Sequence, residues 1–240
     1  MNEILAFYEQ EQRKNVQYYG MRTEQTPKVV RLVAQDEGEG AVIYSRLDES
    51  DADQVIREQI AYFEGIGQDF EWKVFSHDTP SDLRERLIAC GFECEEPESI
   101  MVLDLDTAPS TLFEPVTANV QRLTDPGQIN QVIQILNRVW NEDHEILGEI
   151  LTEELTHHGD YLSIYLAYVD GIPASAAWIR FHEGGSFAGL WGGSTLPAYR
   201  QRGLYTALLS VRAQEARRRG VRYLTIDASP MSEAIVTHYG

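Results

Sequence analysis

The segment that most constrains the fold is YLSIYLAYVDGIPASAAWIRF, residues 161–181. Apolar side chains recur at every second position of its first arm, Asp170-Gly171 supplies a turn, and a second apolar arm runs from Ala174 to Phe181. Alternation on both sides of an Asp-Gly pair predicts a β-hairpin, because each arm then turns one face toward a core. The chain is therefore expected to contain an antiparallel sheet.

Segments on both sides of the hairpin extend this sheet and cover it with helices. Their residue patterns predict a strand at 120–125, one or two helices over 126–155, a strand at 186–196, a helix from Leu204, a strand at 221–229 and a helix from Pro230. This order predicts an α/β fold of the α+β type, with a central mixed sheet flanked by helices. Gly192-Gly193, within the strand at 186–196, indicates a β-bulge or a ligand that approaches the main chain.

The N-terminal half repeats part of this pattern in a degenerate form. Residues 28–92 read as two strands around a glycine turn, a helix, a short strand and a second helix. We therefore predict two tandem copies, with a degenerate partial domain at 1–108 and a second domain at 116–240. The join is placed in the proline- and Ser/Thr-rich segment 106–115.

Charge and hydropathy exclude several classes of partner. The formal net charge of −18 argues against general nucleic-acid binding, which requires a basic face. It is compatible with a cationic substrate, and equally with solubility alone. The longest apolar runs are far shorter than the roughly 20 residues needed to cross a bilayer, and the N-terminus lacks a signal-peptide core. The sequence thus predicts a soluble, cytoplasmic protein with no membrane and no nucleic acid as partner.

Neither the cysteines nor the histidines predict a metal site. Cys90 and Cys94 have no second pair of ligands at matching spacing, so free thiols are expected. His157 and His158 are adjacent, so their side chains point apart in regular structure, and no third ligand is evident.

The stretch TLPAYRQRGLYTALL, residues 195–209, places Arg200, Arg202 and Gly203 at the start of a helix. The first turn of a helix has main-chain N–H groups without partners and the positive end of the helix dipole. A glycine and two arginines at that point suit a diphosphate. The stretch is neither a Walker loop nor a Rossmann fingerprint, and its spacing alone is also typical of an ordinary solvated helix cap.

In its context, the stretch resembles the GNAT acetyltransferase superfamily. The pattern P-x-Y-R-x-R-G-L-x-x-x-L-L follows a three-stranded meander and precedes a strand and a helix, as in that family. The resemblance implies that loop amides bind the diphosphate of acetyl-coenzyme A (acetyl-CoA) and that the preceding strand contacts its pantetheine arm. The residues that it assigns to the pantetheine arm are Gly193, Ser194 and Thr195, and those that it assigns to the diphosphate are Arg200, Gln201, Arg202, Gly203, Leu204, Tyr205 and Thr206.

The function implied by this resemblance is acetyl-CoA-dependent N-acetyl transfer to a primary amine, in a small molecule or a peptide, without a metal. Two alternatives stay open. One is a non-catalytic module of the same fold that senses CoA or binds a partner, and the other is a structural α/β domain without a ligand. The sequence determines neither the acceptor nor the oligomeric state, and a homodimer stays open.

The sequence departs from the family pattern at positions that matter for catalysis. Tyr205 stands where glycine or alanine is usual, so its side chain must point away from the ligand. The usual glutamate is missing near Gly189 and the usual tyrosine near Val236, so the general base and the general acid are unknown. The candidates for proton transfer that remain, each with a structural role as the alternative, are Asp227, Ser229, His238 and Tyr239.

Two further expectations follow from the family pattern. The family fold continues beyond the position of Gly240 with two more strands, so we expect the sequence to be truncated there. In the N-terminal half, residues 91–106 read as Gly-Phe followed by a strand, a turn and a strand, which supports a first copy. Its counterpart of the ligand loop, LDESDADQ at 47–54, is acidic and lacks glycine. We predict that this half binds no CoA and instead walls the acceptor site or serves as scaffold.

Side-chain packing gives the last expectations. The residues expected on the buried face of the helix that follows the loop are Leu204, Ala207, Leu208 and Val211. Arg212 is expected outside that face. Trp140, Trp178 and Trp191 are expected in the core, and Trp191, beside the glycine pair, is also a candidate for the wall of the acceptor pocket.

Overall fold

The computed structural model describes residues 3–35, 38–228, Glu233 and residues 236–239, apart from the side chain of His238. Contacts within the chain divide it into two compact units, Met1–Glu96 and Pro97–Gly240. Each unit contains its own sheet. Among the described residues, no helix combines the length and the apolar character needed to cross a membrane.

The first unit is built on a four-stranded mixed sheet. Its strands, which lie in the order β1-β2-β3-β4, are β1 (Met21–Gln25), β2 (Val29–Ala34), β3 (Gly40–Ser45) and β4 (Phe70–Trp72). Its helical segments are α1 (Glu3–Tyr8), a π-helical turn (Glu9–Lys14), α2 (Ala52–Ile66) and α3 (Leu83–Ala89). Strands β1, β2 and β3 pair antiparallel. Strands β3 and β4 pair parallel, and the crossover helix α2 connects them.

The predicted strands and helices of residues 28–92 are confirmed in this unit. Helix α2 buries Val55, Ile56 and Phe63 in a core shared with Val42 of β3. Close packing fixes the start of β3, because a Cβ atom at Gly40 would lie 2.2 Å from the Phe63 ring. Strand β1 and the N-terminal helical segment were not predicted.

The second unit is built on a six-stranded mixed sheet in the order β5-β10-β9-β8-β7-β6. Its strands are β5 (Ser99–Asp104), β6 (Asn119–Leu123), β7 (Leu162–Val169), β8 (Ile172–Phe181), β9 (Phe187–Thr195) and β10 (Tyr223–Ala228). Its helices are α4 (Ile129–Trp140), α5 (Glu145–His157) and α6 (Leu204–Arg218), with 3-10 segments at Ser110–Phe113, Pro126–Gln128, Pro197–Tyr199 and Thr237–Tyr239. The predicted mixed sheet flanked by helices is confirmed.

Each face of this sheet has a separate apolar core. Helix α6 covers one face, where Leu208 and Ala213 pack with Leu190. Helices α4 and α5 cover the other, where Val132 and Leu151 lie in one cluster with Trp178. Strand β9 thus lies between two layers of helix, and α6 connects it to the parallel strand β10.

Strand β5 differs from the sequence prediction. Residues 91–106 were expected to form a strand, a turn and a strand of the first copy. The structure instead has one strand there, residues 99–104, which pairs antiparallel with β10 in the second sheet. The division between the units accordingly falls after Glu96, ahead of the join expected at 106–115.

Candidate functional site

The parallel strands β9 and β10 separate after a short stretch of pairing. They pair over three residue pairs, the last of which is Gly189 with Thr225, although β9 continues to Thr195. The β10-facing edge of residues 190–195 therefore has no strand partner among the described residues. A cleft of about 30 Å³ lies beside this point, and its apolar lining comes mainly from β5, β10 and α6 and includes Leu103, Leu190 and Leu209. Crevices outside the carboxyl ends of parallel strands are the usual ligand sites of open α/β sheets.

A β-bulge lies on the open stretch of β9. The pairs Trp178–Trp191 and Ala176–Ser194 flank it, so that Gly192 and Gly193 together face one residue of β8. Gly192 has a φ of 65°, and a Cβ atom there would lie 1.8 Å from the Trp178 ring. The predicted bulge at the glycine pair is confirmed, and only glycine satisfies both the left-handed conformation and the contact.

Six consecutive main-chain amides, from Gln201 to Thr206, donate no hydrogen bond to any residue that the structure describes. The first intrahelical bond at the start of α6 runs from the amide of Ala207 to the carbonyl of Gly203, at 2.9 Å. Gln201 and Gly203 have φ values of 62° and 72°. Left-handed residues in a turn are typical of main-chain nests, in which successive N–H groups form a concave anion site. We call residues 201–206 the amide loop.

Both predicted arginines of the loop are exposed and neither forms an ion pair with a described carboxylate. Arg200 donates from Nε to the carbonyl of Thr195 at 3.2 Å. The guanidinium of Arg202 lies 5.5 Å from the centre of the Tyr199 ring. Arg200 thus lies directly before the amide loop and Arg202 lies within it, and neither is neutralised by a described carboxylate.

Tyr205 points toward strand β9. A Cβ atom on Gly193 would lie 2.9 Å from Cε2 of Tyr205, so the ring fills the space beside that glycine. The side chain is half-buried, and this burial raises the pKa of the Tyr205 hydroxyl. The ring therefore packs against Gly193 of the bulge.

The side chains of the other two strand residues are already engaged. The hydroxyl of Ser194 accepts a hydrogen bond from Nε1 of Trp140 at 3.0 Å. The hydroxyl of Thr195 lies 2.7 Å from that of Ser175. Any contact that residues 193–195 make with an extended ligand must therefore use their main-chain groups.

Arg212 is a residue that sequence reasoning misplaced. It was expected outside the buried face of α6, but it is 2% exposed. Its Nη1 donates to the carbonyls of Trp178 and Trp191, at 3.2 and 3.4 Å, and no described carboxylate pairs with it. Burial lowers the pKa of Arg212 to about 10, so it stays protonated at neutral pH. Because the Trp191 carbonyl shares a peptide group with the Gly192 amide, a fixed positive charge lies directly beside the bulge.

Two of the three tryptophans expected in the core are exposed. Trp178 is buried as predicted, whereas Trp140 is 47% and Trp191 is 38% exposed. Trp140 ends α4, and Trp191 lies on the same face of the sheet as its cross-strand partner Trp178. Both exposed rings therefore lie on the α4/α5 side of β9, at either end of the bulge.

The structure assigns no general acid or base. The hydroxyl of Tyr239 lies 2.6 Å from that of Thr206, which brings one proton-transfer candidate to the amide loop. Asp227 lies on β10, while Ser229 and the side chain of His238 are outside the described residues. Within the described part of the chain, no three His, Cys, Asp or Glu residues are grouped so that they could hold a metal ion.

Comparison with known proteins adds independent findings. Residues 129–234 match the model of the acetyltransferase (GNAT) family. No curated protein sequence matches the chain. A GCN5-related N-acetyltransferase from Kribbella flavida is similar in structure, with a TM-score of 0.63 at 12% identity, over 87% of this chain and 80% of that chain.

Two further solved structures are similar. A functionally unknown conserved protein from Staphylococcus epidermidis gives a TM-score of 0.61 at 10% identity, over 93% of this chain and 91% of that one. A predicted acetyltransferase with acetyl-CoA from Clostridium acetobutylicum gives 0.45 at 18% identity, over 52% of this chain and 89% of its own. The Kribbella and Staphylococcus structures show that the fold of most of this chain recurs elsewhere.

Proposed function

We propose that the protein is an acetyl-CoA-dependent N-acetyltransferase that acts on a primary amine, a proposal that the match of residues 129–234 to the model of the acetyltransferase (GNAT) family supports. The observation that carries the proposal is the amide loop, whose six consecutive amides donate to no described residue. It begins a 15-residue helix and adjoins the open edge of β9.

The amide loop suits the diphosphate of acetyl-CoA. Main-chain N–H groups at a helix N-terminus donate to phosphate oxygens, and the helix dipole favours their negative charge. Arg200 and Arg202 add charge-assisted donors at the rim. Both arginines are exposed and form no ion pair with a described carboxylate, so both are available to an anion at the amide loop.

The pantetheine arm would then run along the open edge of β9 toward the bulge. Residues 193–195 would contact it through main-chain groups, because their side-chain positions are filled or engaged. These residues, with the amide loop and Arg200, make up the proposed donor site.

The bulge is the proposed place of the chemistry. The acceptor nitrogen forms a bond to the acetyl carbon as the carbon–sulfur bond breaks, and the thiolate takes up the proton that the amine loses. A main-chain N–H between Gly192 and Thr195 polarises the thioester carbonyl. The hydrogen bond from Arg212 to the Trp191 carbonyl strengthens the adjoining Gly192 amide as a donor. With no general base assigned, the amine enters in its neutral form, and water carries the proton.

The acceptor approaches from the α4/α5 side of β9. On the opposite side, the Tyr205 ring closes the space at Gly193. The exposed rings of Trp140 and Trp191 border the remaining approach, where the guanidinium of Arg180 lies 5.8 Å from the centre of the Trp191 ring. A small-molecule amine and a peptide amine both suit this approach, and the acidic chain attracts either.

Binding of acetyl-CoA tests the donor site directly. We expect Arg202→Glu to weaken acetyl-CoA binding by about tenfold or more in isothermal titration calorimetry, because it replaces a cation beside the diphosphate with an anion. Arg218→Glu, an equal charge change at the exposed far end of the same helix, is the matched control and should bind like the wild type. Wild-type affinity in Arg202→Glu would contradict the donor site.

Release of the free thiol tests transfer. Incubation with acetyl-CoA and a panel of small and peptide amines should release CoA thiol in an amine-dependent manner. Tight binding of acetyl-CoA without thiol release from any amine would support the non-catalytic module instead. No binding at all would contradict both the transferase and a CoA-sensing module, and would leave a module that binds a partner without CoA.

A further inference from the structure

Aromatic rings pack against both faces of the bulge in β9. Trp178, which lies in the core beneath α4 and α5, comes so close that a Cβ atom on Gly192 would lie 1.8 Å from its ring. Tyr205, in the first turn of α6, comes from the other face, where a Cβ atom on Gly193 would lie 2.9 Å from its ring. The side-chain positions of two successive residues are thus filled by rings from opposite faces of the sheet.

A buried cation continues this closure on the α6 side. Arg212 is 2% exposed, and its Nη1 donates to the carbonyl of Trp191, directly before the glycine pair, at 3.4 Å. The same atom donates to the carbonyl of Trp178 at 3.2 Å. A guanidinium that moved aside would leave these buried groups without partners, which costs free energy. The α6 side of residues 191–193 is therefore held closed by Arg212 and Tyr205.

The open edge of β9 is short beyond the bulge. Strand β10 pairs with β9 up to Gly189 and Thr225, so that Leu190 and Trp191 alone separate the paired sheet from the glycine pair. In the proposed donor site, the pantetheine arm takes the edge on the other side of the bulge, along residues 193–195. What remains for the acyl group of a bound thioester is the α4/α5 side, from which the amine must approach.

We propose that the Tyr205 ring limits the donor to short acyl groups, so that acetyl-CoA is accepted and thioesters of four or more carbons are rejected. The inference rests on the proposed function and adds the size of the acyl group that the site takes. A longer acyl chain must either displace the ring or lie in the path of the amine. Tyr205, which stands where the family pattern has glycine or alanine, is then the residue that sets acyl specificity.

Calorimetric titration of the full chain with acetyl-CoA, propanoyl-CoA, butanoyl-CoA and hexanoyl-CoA tests the limit without an acceptor. Acetyl-CoA should bind most tightly. Butanoyl-CoA and hexanoyl-CoA should bind about tenfold more weakly or worse, because extra methylene groups do not fit a site that is already filled. Propanoyl-CoA should lie between them. With any amine that the protein acetylates, kcat/KM should fall in the same order.

Three variants at Tyr205 assign the limit to its ring, and each keeps the main-chain amide of the loop. Tyr205→Ala should bring the affinities for acetyl-CoA and butanoyl-CoA to within about twofold of each other. Tyr205→Leu should give an intermediate ratio, and it takes the place of Tyr205→Ala if that variant does not fold. Tyr205→Phe is the matched control. It keeps the ring, and the hydroxyl that it loses forms no hydrogen bond with a described residue, so the wild-type ratio should persist.

The inference is overturned if the wild type binds butanoyl-CoA as tightly as acetyl-CoA, or if Tyr205→Ala and Tyr205→Leu both keep the wild-type ratio. Loss of the ratio in Tyr205→Phe would also overturn it, because the hydroxyl and not the ring would then set the limit. In each of these cases acetyl-CoA still binds, so the proposed function stands. Failure of the wild type to bind acetyl-CoA contradicts the donor site itself, and the inference falls with it.

Discussion

Helix α6 buries an apolar face that its sequence pattern predicts and two charged side chains that the pattern does not predict. The apolar face was predicted, and Leu204, Ala207 and Leu208 are buried. Arg212 and Glu215 are buried as well, at 2% and 5% exposure, although the sequence gives no sign of it. Helical periodicity identifies one apolar face. It cannot reveal that charged side chains on another face of the helix form hydrogen bonds with main-chain carbonyls and hydroxyls that are distant in the sequence.

Glu215 should make a pH-dependent contribution to stability. Burial alone would raise its pKa, but hydrogen bonds from Tyr165, Ser163 and Arg219 outweigh burial and hold the pKa below its usual value. The stabilisation is therefore present above the ordinary glutamate pKa of about 4.3 and is lost as the pH falls through the lower folded-state value. Glu215→Gln should reduce the free energy of unfolding by about 2 kcal/mol at neutral pH.

Denaturant unfolding of the wild type and of Glu215→Gln at several pH values measures the difference between their free energies of unfolding. It should shrink as the solution becomes more acidic than pH about 4. Glu183→Gln, in an exposed turn, is the control and should change neither the stability nor its pH profile. A difference between wild type and Glu215→Gln that stays constant down to acid pH would show that the carboxylate is not stabilised by these bonds.

The sequence predicted where strands and loops lie along the chain better than it predicted which strands pair. The meander, the crossover helix and the bulge follow from alternation, helical periodicity and a glycine pair. Strand β5 was recognised as a strand, yet its pairing with β10 was not, because an alternating pattern carries no information about which edge it joins. The exposure of Trp140 and Trp191 was missed for a related reason. Large apolar residues bury area only where a neighbouring element covers them.

The bulge in β9 should tolerate no side chain at Gly192. Alanine there combines a positive φ with a Cβ atom 1.8 Å from the Trp178 ring. Gly184 has a similar φ of 66°, but a Cβ atom there meets nothing within 4 Å. Gly184→Ala should cost about 1 kcal/mol of unfolding free energy for the backbone alone.

Gly192→Ala should cost about 2 kcal/mol more than this control, because Trp178 must move. It should also weaken acetyl-CoA binding, while Gly184→Ala should not. Denaturant unfolding and calorimetry measure the two effects. Equal stability of the two variants would contradict the close contact between Gly192 and Trp178.

The two units have the same order of strands and helix around their parallel strand pair, but they differ where the two parallel strands separate. In each, an antiparallel meander leads into a parallel pair joined by a helix, β3-α2-β4 in the first and β9-α6-β10 in the second. The tandem origin of the units stays a prediction, since the family match covers only residues 129–234. In the first unit, Arg13 bonds the Ile43 carbonyl beyond the paired part of β3. In the second, the β10-facing edge of residues 190–195 of β9 has no strand partner among the described residues.

The sequence predicted one part of this difference between the two units and not the other. The acidic segment 47–54 predicted that the first unit lacks a diphosphate loop. Nothing in the sequence indicated that an arginine from the N-terminal helical segment would bond to the end of β3. That contact joins residues 30 positions apart, and no local pattern marks it.

The amides of residues 201–206 can be observed individually, and they test the donor site most directly. In amide-resolved nuclear magnetic resonance, titration with acetyl-CoA should shift all or most of them. S-acetylpantetheine, which has the thioester arm but no diphosphate, should leave them in place while it shifts residues 190–195. If acetyl-CoA binds and the six amides stay unmoved, the diphosphate lies elsewhere and the account of this site is wrong.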